Sequence, residues 1–225
     1  KNFNDIPFLV RKSLIDSGEV TGIADLAGRK LGVVSPNSLL NYMGDDILQQ
    51  EGLTIDDMEM VILPFPDMVV AFESGAIDAA HLLYPFASQV IDEEITTVLV
   101  EPGDSIQINS IYFGPRLLDP ANREMGVRFL MAYVKGLRDL YVNGMDEENA
   151  AIVNQYTEIP IPAIQQSPPP AVSPDGVLNE VSIEDQMLYF IERGTVEASE
   201  PIPLEKFIDH SFLEEALERL GKFEE

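Results

Sequence analysis

Between residues 23 and 113, short apolar runs alternate with segments of helical periodicity, and Gly or Pro marks most of the junctions. This alternation limits the possible folds more than any other feature of the chain. A strand followed by a helix and another strand forms a right-handed crossover, so a series of such units builds a mostly parallel sheet covered by helices. Residues 31–34, 58–63, 77–83, 95–100 and 106–113 read as strands. Leu39, Leu40, Met43, Ile47 and Leu48 follow helical spacing up to Gly52, and Pro66 opens a helix that Gly75 closes. A further helix is expected over residues 85–91.

The second half reads differently. Asp119-Pro120 is an N-cap followed by Pro at the first helical position, and Val127, Leu130, Val134, Leu137 and Tyr141 continue at three-four spacing until Gly144. Asp146, Glu147 and Glu148 suit the positive end of another helix. Ser182-Ile183-Glu184-Asp185 resembles a capping box, and Asp209 precedes a last amphipathic segment. The proline-rich stretch 159–175 is expected to be an extended strap. Helices of this kind need a surface to cover, and only residues 8–14 and 106–113 offer strands for it. The expected architecture is therefore α/β, with one complete lobe and the helical coat of a second. The expected boundaries are residues 1–22 for the end of a first lobe and a crossing strand, 23–105 for the second lobe, and 106–225 for the return crossing and C-terminal helices.

The net charge of −25 repels phosphate backbones and anionic lipid surfaces, which argues against nucleic acid as a partner. No apolar run reaches the roughly 20 residues of a membrane helix, so direct membrane insertion of this segment is not expected. There are no cysteines, which removes disulfides, thiol catalysis and cysteine-based zinc sites. No metalloprotease, calcium-loop, phosphate-loop or nucleophile-elbow pattern occurs. No catalytic residue, metal ligand or cofactor is expected.

Topology nominates the binding residues. In an open α/β sheet, ligands sit beyond the carboxyl ends of the strands. Ser35, Asn37 and Ser38 lie between a strand and the next helix, where free N–H groups suit an anion or a carbonyl oxygen; a simple N-cap is the alternative. Phe65, Tyr84 and Phe86 follow strand ends at the same edge, where they can stack on a flat ligand or pack in the core. Asn109 and Ser110 fall in a strand expected to cross between lobes, where either can face a cleft. His81 lies inside a strand and reads as a buried structural histidine, and His210 as an exposed residue near a helix cap.

Four segments together resemble a known family. Residues 23–33, with Asp25-Leu26-Ala27-Gly28 before Leu31-Gly32-Val33, are similar to the opening of the second lobe in periplasmic substrate-binding proteins. Gly52-Leu53-Thr54 with Asp57, then Gly75-Ala76-Ile77-Asp78-Ala79-Ala80, then Tyr84-Pro85-Phe86-Ala87 follow in the family's order and spacing. The resemblance covers residues 23–87 and points to the NMT1/THI5-like (SsuA/TauA-like) branch. It implies a type II periplasmic-binding fold and a solute-binding component of an ABC importer, periplasmic or extracellular. Its partners would be a small organic molecule or anion held between two lobes and a transporter permease. Membrane association would come through the transporter or a lipid anchor outside this segment. An enzyme on the same fold, of the thiamine-pyrimidine or menaquinone-pathway type, and a sensory domain of a signalling protein are the alternatives. The family's first-lobe βαβ region is not found ahead of residue 1, and the chain opens on Lys1. A processed or truncated protein, or a partner chain carrying the rest, is therefore expected. Tyr84 stands where the family often has an acidic residue, so the resemblance does not carry the ligand class across.

Overall fold

The apolar runs of the first hundred residues form one five-stranded sheet in the computed structural model, which describes residues 6–100, 106–168 and 172–224. The chain divides into two units. The first comprises Lys1–Asp104 and Thr157–Pro168, and the second Ser105–Tyr156 and Pro169–Glu225.

In the first unit the elements are β1 (Phe8–Arg11), α1 (Lys12–Asp16), β2 (Lys30–Val33), α2 (Leu39–Gln49), β3 (Glu59–Ile62), α3 (Phe65–Ser74), β4 (Ala79–His81), α4 (Phe86–Asp92) and β5 (Thr96–Val100). The strand order is β3-β2-β4-β1-β5. β2 pairs in parallel with β3 and with β4, as the helical crossovers require. β1 runs antiparallel to both β4 and β5, so the other four strands share one direction and β1 alone opposes them. The strand read over residues 8–14 is thus shorter than expected, because the chain turns into α1 at Lys12, where the Lys12 ammonium bonds the Asp16 carboxylate one turn on.

Strand alternation sends the core to both faces of the sheet. Phe8, Val10, Leu31, Val33 and Ala79 pack with Ile47 and Leu48 of α2 on one side. Leu9, Ala80 and Leu82 pack with Met68, Val69 and Phe72 of α3 and Ala87 and Val90 of α4 on the other. Gly32 belongs to this second face. A Cβ there would come within 2.8 Å of Ile77 Cδ1, so bare backbone lets the neighbouring layer approach.

The carboxylate of Asp78 joins three strands where the parallel strands begin. It accepts from the Arg11 guanidinium at 2.5 Å and from the Lys30 backbone N–H at 3.0 Å. The Asp78 backbone bonds the same two residues, accepting from the Arg11 N–H and donating to the Lys30 carbonyl. Gly75, at φ 72°, caps α3 in the left-handed conformation, and Arg11 lies against the side on which a Cβ would project.

His81, at the end of β4, is fully enclosed. Its Nδ1 lies 3.2 Å from the Ile6 carbonyl oxygen, its ring meets the edge of Phe8 at 4.9 Å between centroids, and its Nε2 is buried with no hydrogen-bond partner among the described residues. Burial lowers its pKa to about 4, outweighing the carbonyls of Ile6, Pro7 and Met43 around it. It is a neutral core histidine, in keeping with its position inside a strand.

The regular elements described in the second unit are all helical. It holds α5 (Pro115–Leu118), α6 (Arg123–Asn143), most of α7 (Glu147–Thr157), α9 (Glu180–Glu192) and α10 (Ser211–Leu220), while α8 (Ile161–Gln166) belongs to the first unit. Val127 of α6 packs with Phe212 and Ala216 of α10, and Arg123 lies over the Phe212 ring while pairing with Glu215 at 3.0 Å.

Three expectations are corrected here. Residues 106–113 form no strand; Gln107 bonds Asn179, Ser182 and Gln186 around the start of α9 in place of a ladder. α9 is capped by Asn179, whose side chain accepts from the Ser182 N–H, which leaves the Ser182 hydroxyl to accept from the Gln107 N–H at 2.8 Å. The strap over residues 159–175 contains α8, because Pro162 falls in the first turn of that helix, where the missing N–H costs nothing.

Two outcomes follow for stability. Asp78→Ala leaves the Arg11 guanidinium and the Lys30 N–H without their acceptor and should cost about 3 kcal/mol in chemical denaturation at pH 7. For His81 the folded pKa lies below the unfolded value of 6.5, so the unfolded state takes up its proton first as pH falls. Stability should decline from pH 6.5 to about 4, by up to about 3 kcal/mol. His81→Gln should flatten that part of the stability–pH curve, as read by thermal denaturation at each pH.

Candidate functional site

The turn after β2 runs from Ser35 to Ser38 before α2 begins at Leu39. Ser38 occupies the N-cap position with extended dihedrals, yet its side chain accepts no hydrogen bond from the helix. Its hydroxyl instead donates to Asn41 Oδ1 at 2.9 Å. Asn41 Nδ2 donates to the Pro36 carbonyl at the same distance and also lies against Met60 Sδ. Buried Asn41 therefore clamps the turn from within. With the Ser38 hydroxyl turned to the Asn41 side chain, no cap side chain accepts from the first turn of α2, and the Asn41 N–H is met by the Ser38 carbonyl instead. Ser35, Pro36 and Asn37 are exposed, and the Asn37 N–H reaches Ser35 Oγ at 3.5 Å.

Asp45, one turn further along α2, is also buried. Its carboxylate accepts from the Ile55 N–H at 2.6 Å and from Gln49 Nε2 at 2.9 Å. This fixes α2 against the turn that leads into β3, and so fixes the direction in which the N-terminus of α2 points.

The aromatic candidates gather at the same edge of the sheet. Phe65 opens α3 after β3, and Tyr84 and Phe86 follow β4, with a cis peptide bond between Tyr84 and Pro85. Phe65 and Phe86 stack with centroids 6.3 Å apart and planes inclined at 23°. Val34, Leu63, Phe65, Tyr84 and Phe86 are all partly buried against the core between the sheet and helices α3 and α4. Each ring is anchored in the core and each keeps some surface. The parallel register of β3, β2 and β4 brings the Ser35–Ser38 turn, Phe65 and Tyr84 to one edge, as the topology requires.

Asn109 lies in the second unit and is exposed, on a segment without regular structure. The segment is held by Gln107. Its N–H donates to the Ser182 hydroxyl, its carbonyl accepts from Gln186 Nε2 at 2.9 Å, its side-chain oxygen accepts from the Asn179 N–H at 2.8 Å, and its side-chain nitrogen donates to the Asn109 carbonyl. Asn41, Asp45 and Gln107 were not singled out from the sequence. Asn41 and Asp45 sit on the inward face of an amphipathic helix, where a polar residue in an apolar stripe was the available signal.

A model of the NMT1/THI5-like family matches residues 3–143. Among solved structures, the chain is similar to the periplasmic aliphatic sulphonate binding protein SsuA from Escherichia coli. The identity is 22%, the TM-score is 0.72, and the match covers 95% of this chain and 72% of that one. It is similar also to the periplasmic nitrate-binding protein NrtA from Synechocystis PCC 6803, at 13% identity and a TM-score of 0.68, with 98% and 66% covered. The alkanesulfonate-binding protein SsuA from Xanthomonas axonopodis pv. citri, bound to MOPS, matches at 17% identity and a TM-score of 0.63, with 86% and 66% covered. This chain thus spans about two thirds to three quarters of the length of these proteins, and at such identities the likeness is one of fold. No curated protein matches it in sequence.

The Asn41 clamp can be tested by itself. Asn41→Ala removes both side-chain bonds to the turn and should cost about 1–2 kcal/mol. Backbone amides of residues 35–40 should then exchange with solvent faster in hydrogen-exchange mass spectrometry, while those of β4 keep their protection.

Proposed function

The chain belongs to the NMT1/THI5-like family, and on that basis we propose that it is the solute-binding component of an ABC-type importer, capturing a small organic molecule or anion without transforming it. One observation carries this reading: the Ser35–Ser38 turn at the start of α2 and the rings of Phe65 and Tyr84 converge on one edge of a mostly parallel sheet. That edge is where open α/β sheets hold their ligands. The solved structures similar in fold include sulfonate- and nitrate-binding periplasmic proteins, which favours capture over catalysis. The histidines support the same reading, because His81 is sealed in the core and His210 pairs with Glu180 at 2.8 Å in the second unit.

In this proposal Ser35, Asn37 and Ser38 supply donors to an acceptor atom of the ligand, and Phe65 and Tyr84 cover its apolar face. Asn109 is a further candidate contact in this proposal. Residues 1–22, 23–105 and 106–225 correspond to the end of a first lobe with its crossing strand, the second lobe, and the return crossing with the C-terminal helices. The partner is a transporter permease. The location is periplasmic or extracellular, with membrane association through the transporter or a lipid anchor outside this segment. Among the described residues no helix is long and apolar enough to cross a membrane.

The site is tested by a ligand screen using thermal shift, since a ligand that binds only the folded state raises stability. With a ligand in hand, calorimetry on the full-length protein should show the Asn37→Ala, Tyr84→Ala double variant binding about tenfold more weakly or worse, which corresponds to about 1.4 kcal/mol or more. Wild-type affinity in that variant would remove the site.

A further inference from the structure

His81 stands where three parts of the first unit meet. It ends β4, and the chain runs on from it to Tyr84. β1 presents Phe8 directly opposite, and Ile6 and Pro7 lead into that strand. α2 lies over the ring at Gly44, where a Cβ would stand 3.8 Å from Cδ2 and 4.0 Å from Nε2. The two ring nitrogens thus face different neighbours. Nδ1 lies 3.2 Å from the Ile6 carbonyl oxygen, which can only accept, so the neutral ring carries its hydrogen there. Nε2 is then the bare nitrogen, buried beside α2 and without a hydrogen-bond partner among the described residues. An added proton therefore goes to Nε2, on the α2 side. Burial and the carbonyls of Ile6, Pro7 and Met43 set the state of the ring. The surrounding elements carry other ionisable groups. On α2, Asp45 is engaged by the Ile55 N–H and Gln49, Asp46 is exposed and Tyr42 is half-buried. Arg11 and Lys30 stand at the far ends of β1 and β2, and Arg11 pairs with Asp78.

We propose that His81 is a positioning residue that makes the candidate site sensitive to acid: a proton on Nε2 detaches α2 from the sheet, and the Ser35–Ser38 turn goes with it. The bearing on capture rests on the site proposed above, whereas the movement of α2 does not. A buried imidazolium needs water or a free acceptor. α2 offers the Met43 carbonyl, which the helix already uses within its own ladder. Hydration of Nε2 therefore requires α2 to lift. β1 and β2 flank β4 through ladder bonds and are held in place, whereas Gly44 meets the ring with backbone alone. α2 also carries Asn41, whose side chain holds the Pro36 carbonyl and the Ser38 hydroxyl. Lifting the helix withdraws that clamp, and the turn loses the shape that aims its donors.

Hydrogen exchange of the full-length protein between pH 7 and pH 5, corrected for intrinsic exchange rates, tests the proposal without a ligand. Amides of residues 39–50 should open more readily than those of α3 at each pH. Their opening should rise by about tenfold or more from pH 7 to pH 5, because between 6.5 and about 4 only the open form holds the proton. In His81→Gln that rise should vanish. Exchange of α2 in step with α3 would mean that the helix leaves only on global unfolding. An α2 opening that ignores acid would mean that it does not uncover His81, and a rise that persists in His81→Gln would belong to another group. Each of these three results overturns the proposal. The comparison of α2 with α3 is internal to the wild type, so it stands even where His81→Gln fails to fold. No ligand enters the experiment, so its outcome is separate from that of the Asn37→Ala, Tyr84→Ala double variant, on which the site reading depends.

Discussion

The first unit depends on Asp78. A sheet in which one strand opposes four others needs a fixed junction where the directions meet, and Asp78 supplies it through four bonds to two residues. Its side chain bonds the Arg11 guanidinium of β1 and the Lys30 N–H of β2, and its backbone bonds the same two residues. The carboxylate is mostly buried, so its charge is stable there only because these donors replace its lost hydration. Gly75, three residues earlier, gives α3 the left-handed cap that returns the chain to this point. The Gly-x-x-Asp spacing in the family-like segment is thus a structural device, and its position at the start of β4 keeps it away from the edge proposed to bind the ligand.

Strand direction thereby separates two kinds of chemistry. Where the parallel strands begin, charges pair: Arg11 with Asp78, Arg29 with Glu19, Lys12 with Asp16. Where they end, the candidate site residues are neutral: Ser35, Asn37, Ser38, Phe65 and Tyr84. Ion pairs hold the sheet together at one edge, and the other edge is left to hydrogen-bond donors and aromatic surface. Asn41 and Asp45 connect the two roles, since both are buried polar residues of α2 whose bonds run to neighbouring turns and set the pose of the helix.

The α/β class, the parallel pairing of β2 with β3 and β4, and the helices from α2 to α4 were legible in the sequence because periodicity reports burial directly. The convergence of residues 35–38 with Phe65 and Tyr84 was legible too, since it follows from topology alone. The end of the chain's first half was harder to read. Residues 106–113 have strand-like composition, but Gln107 takes its partners from Asn179, Ser182 and Gln186, more than seventy residues away, and no local pattern reports such a choice. The same contact moved the cap of α9 from Ser182 to Asn179. Asn41 escaped notice because a buried asparagine declares its role only through the turn that it holds.

The place of β1 bears on how the chain reaches its fold. Residues 8–11 lie between β4, near residue 80, and β5, near residue 98, so the centre of the sheet is closed by contacts spanning most of the unit's length. Such separations impose a large loop-closure entropy before any contact compensates for it, which slows folding. During synthesis, β2, β3 and β4 can pair as they emerge, but the flank of β4 stays open until β1 returns to it. Until then β4 is an unprotected edge made of Ala79, Ala80 and His81, residues buried in the finished sheet. Although β1 precedes the other four strands in sequence, it is thus a late piece to be placed, and the sheet is most open to wrong pairing in the interval before it arrives.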